Sequence, residues 1–340
     1  MIINRRENFS WVTTGGNALL INSTEKSLGI LVFTIDNQYL VSHAMDGRRI
    51  LDEQIPGQGY ELVELKWYEA NPMERAMQIA GGNGAADISL PGFENIFPAL
   101  LDFHYPMTNL EFDRLGWLGR RMNEIYLDMG KFLQPGISEA DISAYFQYLQ
   151  SQAGIASDAL IAGGDQRFLK YRHPLPTDSK VNKYLMLHSA ARKWGLHAPI
   201  TRIFCFGKPE EEFLASFKVV ADIQARVFDL IKPGVKYSEI LEIIKAAYAD
   251  NGYENEWREH YQGGPTGYII VDANRLLTDK TVQKFTPFEW FSTLPGAKIA
   301  ELTLLGESKP EMVSNREPWP QFAVQLEGRH ISMPGIFEIQ

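Results

Sequence analysis

A pentapeptide that returns after 98 residues constrains this chain more than any other feature: Leu133-Gln134-Pro135-Gly136-Ile137 is echoed by Ile231-Lys232-Pro233-Gly234-Val235. An acid-bearing amphipathic helical pattern follows each copy, with Ile142 matched by Ile240 and Phe146 by Ile244. A glycine ends each pattern, Gly154 and Gly252, both 18 residues past the Pro-Gly glycine. Each copy is also preceded by a long helical pattern, over 109–132 and over 211–230, and followed by strand-like sequence. One shared Pro-Gly is chance, but matching helices and stop signals on both sides make an internal duplication. Two α-α-β-β halves related by a pseudo-twofold axis then set strands side by side, helices outside, with a cleft between the halves.

Residues 185–207, LMLHSAARKWGLHAPITRIFCFG, read as two strands joined near Lys193-Trp194-Gly195, with Ile200 to Phe204 on the return strand. A turn centred between Lys193 and Trp194 puts His188 opposite Pro199 and Ala190 opposite His197. Side chains alternate along a strand, so these four share one face. That face is small and polar within a hairpin otherwise fit for a core, and it is expected to floor a pocket.

The first 105 residues carry a different texture, that of a small α/β domain. Residues 28–34 and 39–42 flank Asp36-Asn37 as a hairpin, 46–54 suit a short helix, and 61–68 alternate like a strand. A helical stretch over 72–80 ends at Gly81-Gly82, and 87–90 suit a last strand. No acid, base or nucleophile gathers there. The expected division is 1–106 and 107–340.

Composition narrows the function classes. A net charge of −9 with no Lys/Arg block argues against a nucleic-acid partner. No apolar run approaches the ~20 residues of a membrane span, and the first residues lack the apolar core of a signal peptide. The single cysteine, Cys205, cannot form an internal disulfide and sits between two phenylalanines. A buried structural thiol and a cytoplasmic setting are expected.

The duplicated plan, together with Tyr171-Arg-His-Pro-Leu-Pro-Thr-Asp178, His260-Tyr-Gln-Gly-Gly-Pro-Thr-Gly267 and Pro295-Gly-Ala-Lys-Ile-Ala-Glu-Leu302, resembles the pita-bread fold. That is the fold of aminopeptidase P, prolidase, methionine aminopeptidase and creatinase. The resemblance runs across about 230 residues, and the first 105 resemble the creatinase/prolidase N-terminal domain. The implied fold class is α/β (α+β), a small N-terminal domain followed by a pita-bread domain, and a homodimer is implied as well.

Peptidases of this family hold two divalent metals on two aspartates, one histidine and two glutamates. Carried over one position at a time, those positions are His188, Pro199, Gly264, Phe291 and Ala300, with Glu301 recovered only by a slip of one. Two dications about 3.5 Å apart repel by roughly 20 kcal/mol at an effective dielectric of 20. Carboxylates normally offset this, and none stands in register, so neither a resident metal nor any other cofactor is expected.

What survives is histidine-based. The resemblance to creatinase, which cleaves a C–N bond without metal, points to His173 as base and His260 as second proton carrier. His188, Arg202, Gln262, Lys298 and Glu301 are the remaining candidates for binding substrate, the cations for an anionic group and Glu301 for a cationic one. An alternative reading groups His188, His197 and His260 as a mononuclear imidazole site for Zn or Ni. The glycine run after Gln262 lacks the Lys-Ser/Thr and helix of a phosphate loop and reads as a tight turn. The expected ligand is a small peptide or small molecule in the central cleft. The expected function is a non-metallo binding homologue, with a metal-independent hydrolase or an Xaa-Pro peptidase with unorthodox ligands as alternatives.

Overall fold

The computed structural model describes residues 1–340. The chain divides into two compact units, Met1–Tyr105 with Trp194–Leu196, and Pro106–Lys193 with His197–Gln340.

In the first unit, six strands form one sheet in the spatial order Glu61–Leu65, Gln38–His43, Lys26–Phe33, Ile2–Arg5, Gly84–Ala86, Phe93–Asn95. The hairpin at Asp36-Asn37 forms as expected, with Phe33 opposite Gln38. Alternation along Lys26–Phe33 sends Leu31 into one core with Phe9, Leu40 and Ile50, and Ile30 and Val32 into another with Val41 and Ala76. Residues 87–90 are not a strand. Asp87 instead turns its buried carboxylate back to accept from the Asn4 and Arg5 amides and Asn8 Nδ2 at 2.8–3.0 Å. The helix expected over 46–54 is one α turn, Gly47–Arg49, running into a wider turn at Ile50–Gln54.

The second unit carries the duplication. Helices Asn109–Phe132 and Glu211–Leu230 precede the two Pro-Gly turns, and helices Glu139–Gln152 and Tyr237–Asp250, each of 14 residues, follow them. Gly136 and Gly234 adopt φ of +83° and +92°, a region closed to most side chains. Their amides donate to Val181 O at 2.8 Å and Val282 O at 2.9 Å, so the same bond recurs in both copies.

The strands form two four-stranded sheets. One runs in the order Phe337–Ile339, Leu196–Phe206, Tyr184–Lys193, Ala156–Gly164. The other runs Gly263–Pro265, Thr286–Leu294, Ala297–Leu305, Pro310–Met312. Helices cover one face: Phe217, Val220, Ile240 and Ile244 share a core with Phe288, Trp290 and Ile299. Each large side chain sealed there is worth about 1.5–3 kcal/mol relative to exposure.

The turn of the first hairpin differs from the expected one. Trp194 and Gly195 have φ of +55° and +74°, both positive, as a two-residue type I′ turn demands. Centring the turn on Trp194-Gly195 moves the pairing by two residues, so His188 stands beside Thr201, whose hydroxyl lies 2.9 Å from His188 Nδ1. A shift of two preserves side-chain faces, and His188, Ala190, Pro199 and His197 still share one.

Candidate functional site

The face of the two sheets turned away from the helices, the inner face, carries the polar residues. On the second hairpin, Phe288, Trp290 and Ile299 enter the helix-side core, and Ser292 Oγ donates to Gln224 at 2.8 Å. The intervening residues Glu289, Phe291 and Thr293, paired with Leu302, Ala300 and Lys298, therefore point the other way. Gly264 lies opposite Glu289 on the neighbouring strand.

The structure brings His173 and His260 together, with their Nε2 atoms 3.0 Å apart. His260 Nδ1 contacts the Tyr261 carbonyl, which can only accept, so that nitrogen carries the proton of the neutral ring. Its Nε2 then accepts, and His173 Nε2–H donates. Burial, and after it the Lys298 charge, lowers both imidazoles, to about 4 for His173 and about 3 for His260. Both rings are neutral at pH 7. His188, 4% exposed, is pushed well below its ordinary value by burial and then by Lys298. Phe291 packs between these rings, 6.3 Å from His188 and 5.4 Å from His260.

Lys298 completes the group. It is 3% exposed, and its ammonium sits 5.2 Å from the Phe291 ring centroid. Burial lowers its pKa to about 8, the Glu289 charge opposing and Arg172 adding to the shift. Glu289 is the residue that the sequence reading missed. It is fully buried, neither carboxyl oxygen has a hydrogen-bond partner, and burial lifts its pKa well above the carboxylate range against the pull of Lys298. A lone acid within Phe288-Glu289-Trp290-Phe291 was the available signal. Arg172 holds the rim by pairing with Glu256 and reaching the Thr293 carbonyl at 3.5 Å.

Other expected residues lie elsewhere. Arg202 and Glu301 are on the helix side, 1% and 0% exposed, paired with each other rather than with a ligand. Arg202 also donates to Thr201 O and Ser314 O and lies against the Tyr126 and Trp319 rings. Strand alternation puts Arg202 and His188 on opposite faces, which is the physical reason for the correction. Gln262 spends its amide on Trp257 O and His260 O, fixing the segment that carries His260. His197 does not join the imidazole group: Nδ1 contacts Gly267 O at 2.8 Å and Nε2 contacts Asp158 at 3.1 Å. Burial pushes the Cys205 thiol up to about 11, which leaves it protonated and unreactive.

Hard divalent cations such as Mn prefer oxygen donors, and bridging carboxylates are what hold two of them together. Phe291 and Ala300 face each other across the hairpin and offer no donor. Pro199 offers none, and His188 has one nitrogen engaged by Thr201. Gly264, at φ +151°, cannot carry a side chain in this backbone, because a Cβ there would lie 2.5 Å from Asp272 O. No group of three or more His, Cys, Asp or Glu side chains is placed to hold a metal ion. The inner face does not fit a pair of divalent cations.

Two helix pairs and two hairpins related by duplication, with an N-terminal α/β unit, define a pita-bread protein. Residues 118–301, just over half of the chain, match metallopeptidase family M24, and the chain belongs to that family. It is 22% identical over 215 residues to a probable dipeptidase PepE of Mycobacterium tuberculosis, covering 60% of this chain and 57% of that protein. It is 24% identical over 194 residues to an Xaa-Pro dipeptidase of Pyrococcus furiosus, covering 54% and 55%. The chain thus spans little more than half the length of these relatives. Among solved structures it resembles dipeptidase PepE from Mycobacterium ulcerans, with a TM-score of 0.76 and 16% identity over 99% of this chain and 92% of that one. It also resembles the prolidase from Pyrococcus horikoshii OT3, with a TM-score of 0.77 and 15% identity over 93% of each chain.

Proposed function

We propose that this M24 protein binds a small peptide or small molecule on the inner face and does so without the paired metals of a peptidase. One observation carries the reading: the positions that the resemblance assigns to the family's five ligands hold His188, Pro199, Gly264, Phe291 and Ala300, while the Lys298 ammonium lies 5.2 Å from the Phe291 ring centroid. A buried cation among neutral imidazoles sets a positive potential where a dinuclear centre needs a negative one. The same potential favours a ligand with an anionic group. Elemental analysis of the purified protein is expected to find no stoichiometric Mn, Co or Zn. About two metal ions per chain would overturn the reading and favour a peptidase with unorthodox ligands. Ligands are found by thermal shift, since binding to the native state raises the melting temperature.

The contact between His173 and His260 favours a second reading, a metal-independent hydrolase. A 3.0 Å imidazole pair can pass a proton from one ring to the other. In that reading His173, exposed at the rim, meets the substrate, and His260, anchored by Tyr261 O, receives or returns the proton. His173→Ala and His260→Ala separate the two readings. Loss of turnover with the fold retained supports an enzyme, whereas altered ligand affinity with no turnover in the parent protein supports a binder. The resemblance that carries this reading also carries a homodimer, which light scattering of the full chain tests.

A further inference from the structure

We infer that Lys298 is an imine-forming amine, and that the inner face takes a small ligand bearing a ketone. Three features of its surroundings argue for this. First, the residue is 3% exposed, yet no carboxylate lies within ion-pair distance of its ammonium, unlike the other buried cations Arg192, Arg202 and Arg275. Second, its ammonium lies over the face of Phe291, 5.2 Å from the ring centroid, a contact weaker than the ion pair a buried ammonium ordinarily needs. Third, the groups that face it mostly oppose a charge there: Arg172 on the 171–178 segment is a second cation, and His173 on that segment, His188 on the first hairpin and His260 on the loop before the second sheet are held neutral, while Glu289 on the paired strand is the one group that pulls toward the ammonium. An amine desolvated in this way, beside another cation, is the arrangement that activates lysine as a nucleophile.

Burial brings Lys298 to about 8, so at pH 7 about a tenth of it is the free amine, about 300-fold more than for an ordinary lysine. The step balances without an oxidant. The nitrogen lone pair bonds to the carbonyl carbon, the C–O π pair moves to oxygen, and a proton passes from nitrogen to oxygen to give a carbinolamine. That oxygen then takes a second proton and leaves as water while the C=N bond forms.

The inference rests on the inner face being a ligand site, and the experiment keeps the two apart. The full-length protein is treated at pH 7 with cyanoborohydride, which reduces iminium ions but spares ketones, and with either pyruvate or butan-2-one. Labelled positions are then mapped by peptide mass. Lys298 is expected to be labelled ahead of Lys131 and Lys284, whose side chains are 79% and 55% exposed. Faster labelling by pyruvate than by butan-2-one identifies an anionic ketone, and the reverse a neutral one. Lys298→Arg, which keeps the charge, is expected to lose the label. If that variant fails to fold, the comparison among lysines within the parent chain still decides. Label on exposed lysines with none on Lys298 overturns the imine. If pyruvate nonetheless raises the melting temperature, the ligand site stands; if it does not, the ligand reading loses its support as well.

Discussion

Glu301 and Lys298 lie three residues apart on one strand, both sealed from solvent, and the protein treats them in opposite ways. Glu301 faces the helices. It accepts from Arg202 on both oxygens and from Ser314 Oγ, and Arg202 in turn donates to two main-chain carbonyls and lies against two aromatic rings. Only Arg202 Nε lacks a partner. Lys298 faces the inner side, where the Glu289 carboxyl forms no hydrogen bond at all. A buried ion repays its desolvation only when its partners are complete. The helix side meets that condition and is structural; the inner face leaves it unmet, as a surface awaiting a ligand does.

The largest effect should come from breaking the complete pair. Arg202→Ala leaves Glu301 buried and uncompensated, and a loss of about 3–5 kcal/mol is expected in urea unfolding. Replacing both residues with methionine is expected to cost far less, because it removes both charges together. If the double variant is as unstable as the single one, the stranded charge is not the source of the loss and the pair is not a structural element.

Protonation offers a second way to sharpen the contrast. His188 and His260 have folded pKa values below the unfolded value of 6.5, so the unfolded chain binds their protons first. Their contribution is present above pH 6.5 and is lost as pH falls toward about 3, where His260 titrates in the fold. Each group contributes a slope of about 1.4 kcal/mol per pH unit within that window. His260→Asn is expected to flatten the acid limb of a stability–pH curve by about that amount. An unchanged slope would mean that His260 is not held neutral.

Much of this architecture was legible because it is written in local demands. Gly136, Gly154, Gly234 and Gly252 all adopt positive φ, so the repeat that they mark is a repeat of backbone conformation, visible as residue type. The His173–His260 meeting was legible only through resemblance, since 87 residues separate the two. Arg202 and Glu301 were misassigned although alternation already spoke against them. On either register Arg202 points away from His188, and Glu301 points away from Lys298. Glu289 was illegible for a different reason: it lies two residues before Phe291, outside the positions that the resemblance assigns to ligands. Its isolation becomes evident only when the second hairpin closes and Lys298 comes within its field.

Glu289 gives the smallest effect and the sharpest sign. Its carboxyl makes no hydrogen bond, so removing it forfeits no bond, while burying it costs the desolvation of a polar group, about 1–3 kcal/mol. Because burial raises its folded pKa above the unfolded value, its contribution is fully present below about pH 4.5 and is lost as pH rises through the folded pKa. Glu289→Met keeps the volume and removes both penalties. A gain of about 1 kcal/mol at pH 8 is expected, and a smaller one at pH 4. The partnered acid predicts the opposite, since Glu301→Met alone strands Arg202 and destabilises at both values. If Glu289→Met also destabilised the protein at pH 8, the carboxyl would have a partner in solution, and the two faces would not differ in the way that marks one of them as the site.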